Sequence, residues 1–515
     1  MVAPGGHGMT VAGSLNATQR AADMRALAAE QFDVLVIGGG ITGVGVALDA
    51  ASRGLRTGLV ERADLANGTS RWSSKLIHGG LRYLPRGQVG VAWESARERH
   101  ILLTVTAPHL VRPLPFLIPF NDVMPPAQAA FAEAGVRAGD LLRIASGTRR
   151  RHLPGPRRIT ALEAVRLFPS LRAHDLRSAL LFWDGQVEDD ARLVIAVART
   201  AVARGAALAT HCRALSVATD SVYVRDELSG ATFTVRARTV VNATGVWADT
   251  LDPAARLRPS KGSHLVVEAA ALGDPRAAVV VLVEGARARW VGATPVGDGR
   301  VIVGVTDDPH HGAIVDDPSV TDAEEHFLLT TLSRGLRRPV GPDDVIGRFA
   351  GYRPLLDAAT GSTADLSRRH AILQSRDGAL LTLVGGKLTT YRRMAQDVVD
   401  VVVARRGGPP SVTATLPLVG AGPVPGAATQ PDRLVRRYGS DAAAVAALAA
   451  RDATLLEPVA AGSPVLGVEL LFGILHEGAM NLDDLLDRRV RLGLVPEERR
   501  RAAAAATRLL QSAAA

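Results

Sequence analysis

Lysine is nearly missing from this chain, although the chain is basic. Three of its 60 basic residues are lysine, Lys75, Lys261 and Lys387, so 57 are arginine. Codon bias in a GC-rich genome explains the arginine excess, and a single arginine therefore carries little functional information. Lysine supplies a compact point charge where arginine supplies a planar fork. The three lysines are therefore worth following as candidate functional residues.

Cysteine is almost absent as well. Cys212 is the only cysteine, which excludes an intrachain disulfide bond and a zinc site built from cysteines. We predict no metal site. A lone cysteine is usually a small buried residue, and this composition indicates a reducing compartment.

Long apolar runs are also lacking. The run 277–283, for example, has the length of a strand, whereas a membrane-spanning helix needs roughly 18 apolar residues. The first 30 residues lack the basic and apolar blocks of a signal peptide, so we expect a cytoplasmic protein. A net charge of +9 suits nucleic acid, a phosphorylated metabolite or acidic lipid. Without a dense basic tract interleaved with aromatics, we predict no nucleic-acid partner.

The order of the remaining patterns predicts an α/β protein. An apolar strand at 33–37, a helix at 41–53 and a strand at 57–61 form one βαβ unit. A second strand followed by glycine at 239–245 predicts that the chain returns to the same sheet. Further predictions are helices at 16–30, 191–204 and 386–405, strands at 265–267, 279–283 and 301–305, and a helix opened by the capping pattern Thr321-x-x-Glu324.

Two stretches are predicted to be irregular. Residues 112–182 contain several prolines and the basic loop Arg149–Arg158, and 406–431 is a linker rich in glycine and proline. The chain after the linker is predicted to be helical.

A glycine motif follows the first strand directly. Gly38-Gly-Gly40-Ile41-Thr42-Gly43 matches G-x-G-x-x-G, which permits a tight turn, a close approach to a pyrophosphate and close helix–strand packing. The helix that begins there offers N–H groups to phosphates. Glu61, 18 residues after Gly43, suits a ribose 2′-hydroxyl, and Arg62 would suit a 2′-phosphate. The motif predicts a dinucleotide site and leaves open whether it binds FAD or NAD.

The next segment, 67–84, is dense in hydroxyls and ends in glycines beside a cation and a phenol. Such side chains can hydrogen-bond phosphate and ribityl oxygens, but a serine- and glycine-rich surface turn has the same composition. The residues 38–84 resemble the flavin segment of FAD-dependent glycerol-3-phosphate dehydrogenases of the aerobic, quinone-linked type. Matching stretches follow in order at 189–192, 240–249, 258–264, 351–354, 366–370, 385–391, 476–478 and 484–493. One departure is 304–307, where the family usually has two adjacent threonines.

The resemblance implies a Rossmann-like FAD-binding domain, an interleaved mixed-sheet substrate domain of the D-amino-acid-oxidase and glutathione-reductase type, and a C-terminal α-helical domain. On this basis we divide the chain as follows: a helical lead-in at 1–30, the FAD-binding domain at 31–111, 183–260 and 376–405, the substrate domain at 112–182 and 261–375, the linker at 406–431, and the helical domain at 432–515.

The resemblance also implies oxidation of sn-glycerol 3-phosphate to dihydroxyacetone phosphate, with hydride transfer to N5 of FAD. Such a site needs cations for the phosphate and a base for the hydroxyl proton. The matching positions are Arg82, Tyr83, His264, Arg353, Arg368 and Lys387. Of these, His264, Lys387 and Arg353 are the expected catalytic residues. His264 is the first candidate for the base, because imidazole titrates near neutrality, and Lys387 is the alternative if its pKa is depressed.

The FAD contacts implied by the matching motifs cover four stretches of the chain. They are Gly38, Gly40, Ile41, Thr42, Gly43, Glu61 and Arg62; Thr69, Ser70, Ser73, Lys75, His78, Gly79 and Gly80; Thr244, Gly245 and Trp247; and Gly386, Lys387, Leu388 and Thr389.

The family resemblance further implies that electrons pass to a quinone at the inner face of the cell membrane. The protein could then contact the membrane peripherally through the loop Arg149–Arg158, which could instead steer substrate or simply be solvated; a homodimer is also open. Two other functions compete with this one: an oxidase that reoxidises its flavin with O₂, and a non-catalytic flavin- or nucleotide-binding regulator.

Overall fold

The computed structural model describes residues 11–122, 124–286, 289–357, 370–424 and 426–514. In these ranges it contains twelve α-helices. They are α1 Ala17–Ala29, α2 Ile41–Ser52, α3 Val89–Ile101, α4 Pro126–Ala145, α5 Ala161–Leu167, α6 Asp190–Ala203, α7 Asp322–Ser333, α8 Tyr391–Arg406, α9 Asp432–Tyr438, α10 Ala442–Ala447, α11 Gly467–His476 and α12 Pro496–Ala514.

The same ranges contain twenty strands. They are β1 Gln31–Phe32, β2 Val34–Ile37, β3 Thr57–Val60, β4 Leu76–Ile77, β5 Val111–Phe120, β6 Arg157–Thr160, β7 Ser178–Val187, β8 Ala207–Ala209, β9 Cys212–Val217, β10 Ser221–Asp226, β11 Thr232–Ala237, β12 Val240–Asn242, β13 Ser260–Glu268, β14 Ala278–Leu282, β15 Trp290–Val296, β16 Arg300–Gly304, β17 Asp308–Pro309, β18 Val345–Arg353, β19 His370–Gln374 and β20 Leu380–Gly385.

A six-stranded sheet, in the order β19-β20-β12-β2-β3-β8, carries the glycine motif at the end of β2. Five of its strands are parallel, and β19 runs antiparallel to β20. Helices α2, α6 and α8 pack together on it and share one apolar core. The predicted βαβ unit and the return of the chain at β12 are confirmed. Strand β19 belongs to this sheet but lies before residue 376, where the last segment of the FAD-binding domain was predicted to begin.

A larger sheet has ten strands. Eight of them follow the order β17-β13-β16-β15-β14-β5-β7-β4, and the other two pair at its side, β18 with β13 and β6 with β7. Its strand β13 pairs antiparallel with both β16 and β18, so that His264 lies opposite Gly304 and Phe349. A small four-stranded sheet, β1-β11-β10-β9, lies beside α1, with which β11 is in contact. The mixed sheets and the separate helical region agree with the predicted α/β fold class.

The prediction that residues 112–182 are irregular is wrong. They hold most of β5, half of β7, the whole of β6 and α5, and the 20-residue helix α4. The prolines of β5, at 113, 115 and 119, alternate along the strand and so remove donors from one edge only. Its pairing with β7 therefore runs from Val111 to Phe120. Helix α4 was missed because its exposed face is apolar too, which blurs the helical periodicity.

The C-terminal helices, by which we mean α9–α12 and the turns between them over residues 432–514, confirm the predicted helical end of the chain. In its described residues, 407–424 and 426–431, the segment 407–431 has no long element but is partly buried: Leu416 and Leu418 join the core of the six-stranded sheet, and Thr413 Oγ1 donates to Asp49 (2.9 Å). In the part of the chain that the structure describes, no helix is both long and apolar enough to cross a membrane.

Candidate active site

A cavity of about 690 Å³ lies between the six-stranded and the ten-stranded sheet. Most of the predicted site residues line it. They are Gly38, Gly40, Ile41, Thr42, Glu61, Arg62, Thr69, Ser70, Ser73, His78, Tyr83, Thr244, Gly245, Trp247, His264, Arg353, Gly386, Lys387, Leu388 and Thr389. Residues up to 351 positions apart in the chain therefore meet at one place.

The glycine motif lines one part of this cavity. A Cβ on Gly38, whose φ is +113°, would lie 2.7 Å from the carbonyl oxygen of Ala243, and one on Gly43 would lie 1.9 Å from that of Gly38. Gly43 thus packs helix on strand and does not line the cavity. The N-cap residue of α2, which begins at Ile41, is Gly40, which makes no side-chain hydrogen bond to the first turn. That N-terminus can therefore bind an anionic group.

Glu61 follows the neighbouring strand β3 and binds the glycine turn. Its carboxylate accepts hydrogen bonds from the backbone N–H of Gly39 (2.6 Å) and of Ala63 (2.9 Å). Burial raises the pKa of Glu61, although both hydrogen bonds oppose that shift. Next to it, the Arg62 guanidinium lies 4.5 Å from the ring centroid of Trp247 and forms an ion pair with Asp316. The pair Arg62–Trp247 forms one flat wall of the cavity.

The hydroxyl-rich loop, residues 67–74, lies along the side of the cavity. Ser70 Oγ accepts from the N–H of Ile41 (2.9 Å), and Thr69 Oγ1 donates to the carbonyl oxygen of Tyr352 (2.7 Å). Ser73 donates to Asp190 through its hydroxyl (2.7 Å) and its backbone N–H (2.9 Å). These contacts tie the loop to α2, β18 and α6.

Lys75 does not lie along the cavity, contrary to the prediction. Its side chain is buried on the far side of the loop, where Nζ donates to Asp190 (2.6 Å) and to the carbonyl oxygen of Arg71 (3.1 Å). Burial lowers the pKa of Lys75, while the Asp190 carboxylate opposes the shift. The ammonium turns away because the buried carboxylate of Asp190 lies there. Lys261 is likewise paired elsewhere, with Glu324 (2.9 Å).

Gly79 and Gly80 also lie beside the cavity without lining it. The N–H of Gly79 donates to both oxygens of Asp184 (2.9 and 3.1 Å). A Cβ on Gly79 would lie 2.4 Å from Arg99 Nη1, so this glycine makes room for the ion pair Arg99–Asp184 (2.6 Å). Its small size therefore makes room for an ion pair within the protein.

His264 reaches the cavity from the middle of β13. A hydrogen bond of 2.8 Å joins its Nε2 to Ser74 Oγ, and its ring stacks on Phe349 at 4.6 Å between centroids. Burial, followed by the charges of Arg353 and Lys75, holds the pKa of His264 well below its ordinary value. Within the described residues its Nδ1 has no hydrogen-bond partner. The side chain is therefore a neutral imidazole at physiological pH.

Lys387 enters from the turn before α8. Its Nζ contacts Ser95 Oγ and lies 4.5 Å from the ring centroid of the buried Tyr83. Arg353 lies across the cavity, where it forms an ion pair with Asp307 (3.1 Å) and donates to Ser260 Oγ (3.2 Å). Two cations thus face one cavity that also holds a neutral imidazole.

Two predicted substrate residues cannot be placed. Arg368 and the side chain of Arg82 lie outside the described residues. At the departure from the family pattern, Val305 lines the cavity, and Thr306 Oγ1 accepts from the N–H of Ser263 (2.9 Å). The hydroxyl next to Val305 is therefore used inside the sheet.

One part of the cavity wall is apolar. It contains Leu81, Phe116, Phe182 and Val280, and the two phenylalanine rings stack at 5.2 Å. Leu81, Phe182 and Val280 also pack against the core that α4 forms with the ten-stranded sheet. Only this layer of side chains separates α4 from the cavity.

Sequence reasoning missed several neighbours of the site. Ser74, Ser95, Asp184 and Phe349 contact predicted residues from distant positions and belong to no motif that singles them out. Ser74 alone carried a signal, because it lies inside the hydroxyl-rich segment.

Comparison with known proteins identifies the family to which this chain belongs. A family model for FAD dependent oxidoreductases matches residues 33–392, and one for the C-terminal domain of alpha-glycerophosphate oxidase matches residues 381–514. Glycerol-3-phosphate dehydrogenase 1 of Mycobacterium tuberculosis is 49% identical over 498 residues, which cover 94% of this chain and 96% of that protein. The chain belongs to the FAD-dependent glycerol-3-phosphate dehydrogenase family. A mitochondrial glycerol-3-phosphate dehydrogenase of Arabidopsis thaliana is 33% identical over 93% of the chain and 82% of its own length.

Solved structures agree with this family. The glycerol-3-phosphate dehydrogenase of Bacillus halodurans, complexed with FAD, superposes with a TM-score of 0.70 at 28% identity and covers 96% of both chains. The L-alpha-glycerophosphate oxidase of Mycoplasma pneumoniae shares the fold, with a TM-score of 0.57 at 18% identity over 76% of this chain and 99% of its own. The chain is thus an FAD-dependent oxidoreductase.

The residues present fit the flavin cofactor. The cavity has a glycine turn where a Cβ would clash, a helix N-terminus with glycine at its N-cap for a pyrophosphate, and the wall Arg62–Trp247 for a flat ring. It also contains an unpartnered buried nitrogen, Nδ1 of His264. The glycine motif and the loop 67–74 would hold the cofactor, which supplies a hydride acceptor.

Proposed function

We propose that this protein oxidises sn-glycerol 3-phosphate at its secondary alcohol to dihydroxyacetone phosphate. The observation that carries the proposal is the meeting of Lys387, Arg353 and the neutral His264 on the cavity that fits FAD. The substrate combines a phosphate, which needs cations, with an alcohol, which needs a base. When bound, FAD accepts the hydride from the substrate carbon.

The side chains divide these tasks. Arg353 presents a planar guanidinium, which suits bidentate contact with a phosphate. His264 takes the hydroxyl proton, because its lowered pKa keeps the imidazole neutral and Phe349 and Ser74 fix its ring. Lys387, at the turn before α8, holds the substrate oxygen or serves as the alternative base.

Anaerobic titration of the purified holoenzyme with glycerol 3-phosphate tests the proposal. We expect the oxidised flavin absorbance to bleach with one equivalent of substrate per flavin. An unchanged spectrum would favour the non-catalytic regulator instead. Under air, hydrogen peroxide formed in step with substrate consumption would identify an oxidase.

For the electron acceptor we propose a quinone. The apolar part of the cavity wall supports this, because its side chains Leu81, Phe116, Phe182 and Val280 suit an apolar ring. Steady-state rates with a soluble quinone should exceed those with O₂ by at least about tenfold. Equal rates would favour the oxidase.

We also propose that the protein contacts the membrane through helix α4. Phe131, Leu141 and Ile144 expose 52%, 67% and 55% of their surface on one face of this helix. The loop Arg149–Arg158 follows directly, and its arginines 149–151 are exposed. An apolar face beside exposed cations suits an anionic bilayer surface.

Sedimentation with vesicles that contain anionic lipid tests this contact. Leu141→Ser combined with Ile144→Ser should weaken binding about tenfold or more, since each buried leucine contributes about 2 kcal/mol. The matched control is Leu228→Ser, which changes a leucine exposed to 50% on a turn of the four-stranded sheet. If both proteins bind alike, α4 is not the contact. If this face instead forms a homodimer, sedimentation of the protein without lipid would show a mass of two chains.

A further inference from the structure

The loop 67–74 is held from behind by three arginines of the C-terminal helices. We call Arg488, Arg489 and Arg491 the clamp arginines. All three are buried, although each carries a charge. Besides groups of the C-terminal helices themselves, their partners lie in residues 64–71 and at the start of α6, and none of the three lines the cavity.

Two clamp arginines bind Asp64, at the start of the segment. Arg489 donates to both of its oxygens through Nη1 (2.6 Å) and Nη2 (2.8 Å), and Arg488 donates through Nε (2.8 Å). The backbone N–H of Asn67 in turn donates to the carbonyl oxygen of Asp64 (3.2 Å). The first residue of the loop is therefore hydrogen-bonded to the backbone of Asp64, whose carboxylate the C-terminal helices hold.

The third clamp arginine binds the middle of the loop. Arg491 Nη2 donates to the carbonyl oxygen of Arg71 (2.6 Å), and its Nε donates to Asp189 (3.1 Å). Lys75 donates to the same carbonyl oxygen from its pair with Asp190. One backbone carbonyl thus receives two buried cations, each neutralised by its own carboxylate.

The opposite side of this backbone faces the cavity. Asn67, Gly68, Thr69 and Ser70 all line it, within four residues of the carbonyl that Arg491 binds. A loop that is ordered before its ligand arrives saves the entropy that ordering would cost on binding. The clamp and the cavity share one short backbone, so a change in the clamp alters the shape that the cavity presents.

We propose that the clamp arginines are positioning residues for FAD, so that the affinity of the protein for its cofactor depends on the C-terminal helices. The proposal rests on the assignment of the loop 67–74 to the FAD site. It explains why these helices bury three arginines that do not line the cavity. It adds a role in cofactor binding to a region outside the dinucleotide motif.

The test measures the dissociation constant of FAD by titrating the apoprotein and following flavin fluorescence, with the melting temperature of the apoprotein as a second readout. Arg491→Met removes the hydrogen bonds to Arg71 and Asp189. The matched control is Arg433→Met, because Arg433 is also buried in the C-terminal helices and pairs with Asp298 (2.5 Å) and Glu469 (2.7 Å), away from the loop.

We expect Arg491→Met to raise the dissociation constant of FAD roughly tenfold to hundredfold, as the loss of charged hydrogen bonds implies. Arg433→Met should change it less than about threefold, even if its apoprotein melts at a lower temperature. Equal loss of FAD affinity in both variants would overturn the proposal, since arginine loss would then act through general stability. If either methionine variant does not fold, Arg491→Lys and Arg433→Lys are compared by the same criterion.

Gly40→Val separates this proposal from the assignment of the cavity. Gly40 lines the cavity, and a Cβ there would lie 3.1 Å from Ser70 Oγ. Normal FAD affinity in Gly40→Val would contradict the cavity assignment and, with it, the clamp proposal. Loss of affinity in Gly40→Val together with normal affinity in Arg491→Met would overturn the clamp proposal alone.

Discussion

Lys75 and Lys387 differ in their burial, in their hydrogen-bond partners and in whether they line the cavity. Lys75 is buried behind the loop 67–74, with Nζ 2.6 Å from the carboxylate of Asp190. Lys387 lines the cavity beside the hydroxyl of Ser95 and the ring of Tyr83. Both stand in motifs that match the same family, which implied contact with FAD for both. The comparison teaches that a buried carboxylate commits one lysine to structure, while the other lines the cavity.

The largest expected effect comes from Lys387→Ala. Removal of a base or of a charge that stabilises the reacting oxygen should slow flavin reduction by about a thousandfold at saturating substrate. FAD should stay bound, because the glycine motif and the loop 67–74 are intact. Anaerobic stopped-flow spectroscopy measures the rate. Reduction at a near-normal rate would remove Lys387 from the proposed mechanism.

Lys75→Met should act on stability instead. It leaves Asp190 buried without its cation, and breaking a buried ion pair costs about 3–5 kcal/mol. Urea unfolding of the apoprotein measures this loss. Arg137→Met, which breaks an exposed pair with Glu133, is the control and should change stability by less than about 1 kcal/mol. Lys75→Met with normal stability and slow flavin reduction would make the two lysines alike after all.

Arg353→Lys should have a moderate effect on binding. Lysine keeps the charge but loses the planar fork, so the KM for glycerol 3-phosphate should rise about tenfold, with kcat changed much less. Steady-state kinetics with a soluble quinone separates the two constants. Unchanged KM would show that the guanidinium serves only its pair with Asp307.

The smallest effect concerns pH. The lowered pKa of His264 keeps its imidazole neutral, and therefore able to take a proton, as pH falls below 6.5. The rate of flavin reduction at saturating substrate should then fall less than about twofold between pH 7.5 and 6.0. An imidazole of ordinary pKa would lose about three quarters of its neutral form at pH 6.0. A tenfold fall per pH unit would favour Lys387 as the base.

Local patterns were predictable where local geometry decides them. The glycine turn, the strand before it and Glu61 lie within 28 residues of one another, and the capping pattern at Thr321 and Glu324 forms as expected. Helix α4 and strand β5 were not predictable, because tertiary pairing with β7 and the apolar exposed face override the local signals. The partners Ser95 and Asp184 come from helix α3 and strand β7, which no spacing in the sequence connects to the site.

By itself, the sequence determined the family motifs, the βαβ unit and the scarcity of lysine. Only the tertiary structure decided which lysine faces the cavity. Lys75 and Lys387 lie 312 positions apart, and the direction of each side chain depends on its nearest partners, Asp190 for one and Ser95 with Tyr83 for the other. Burial makes an unpaired charge costly. A lysine beside a buried carboxylate therefore turns to it, and folding, not the motif, brings that carboxylate within reach.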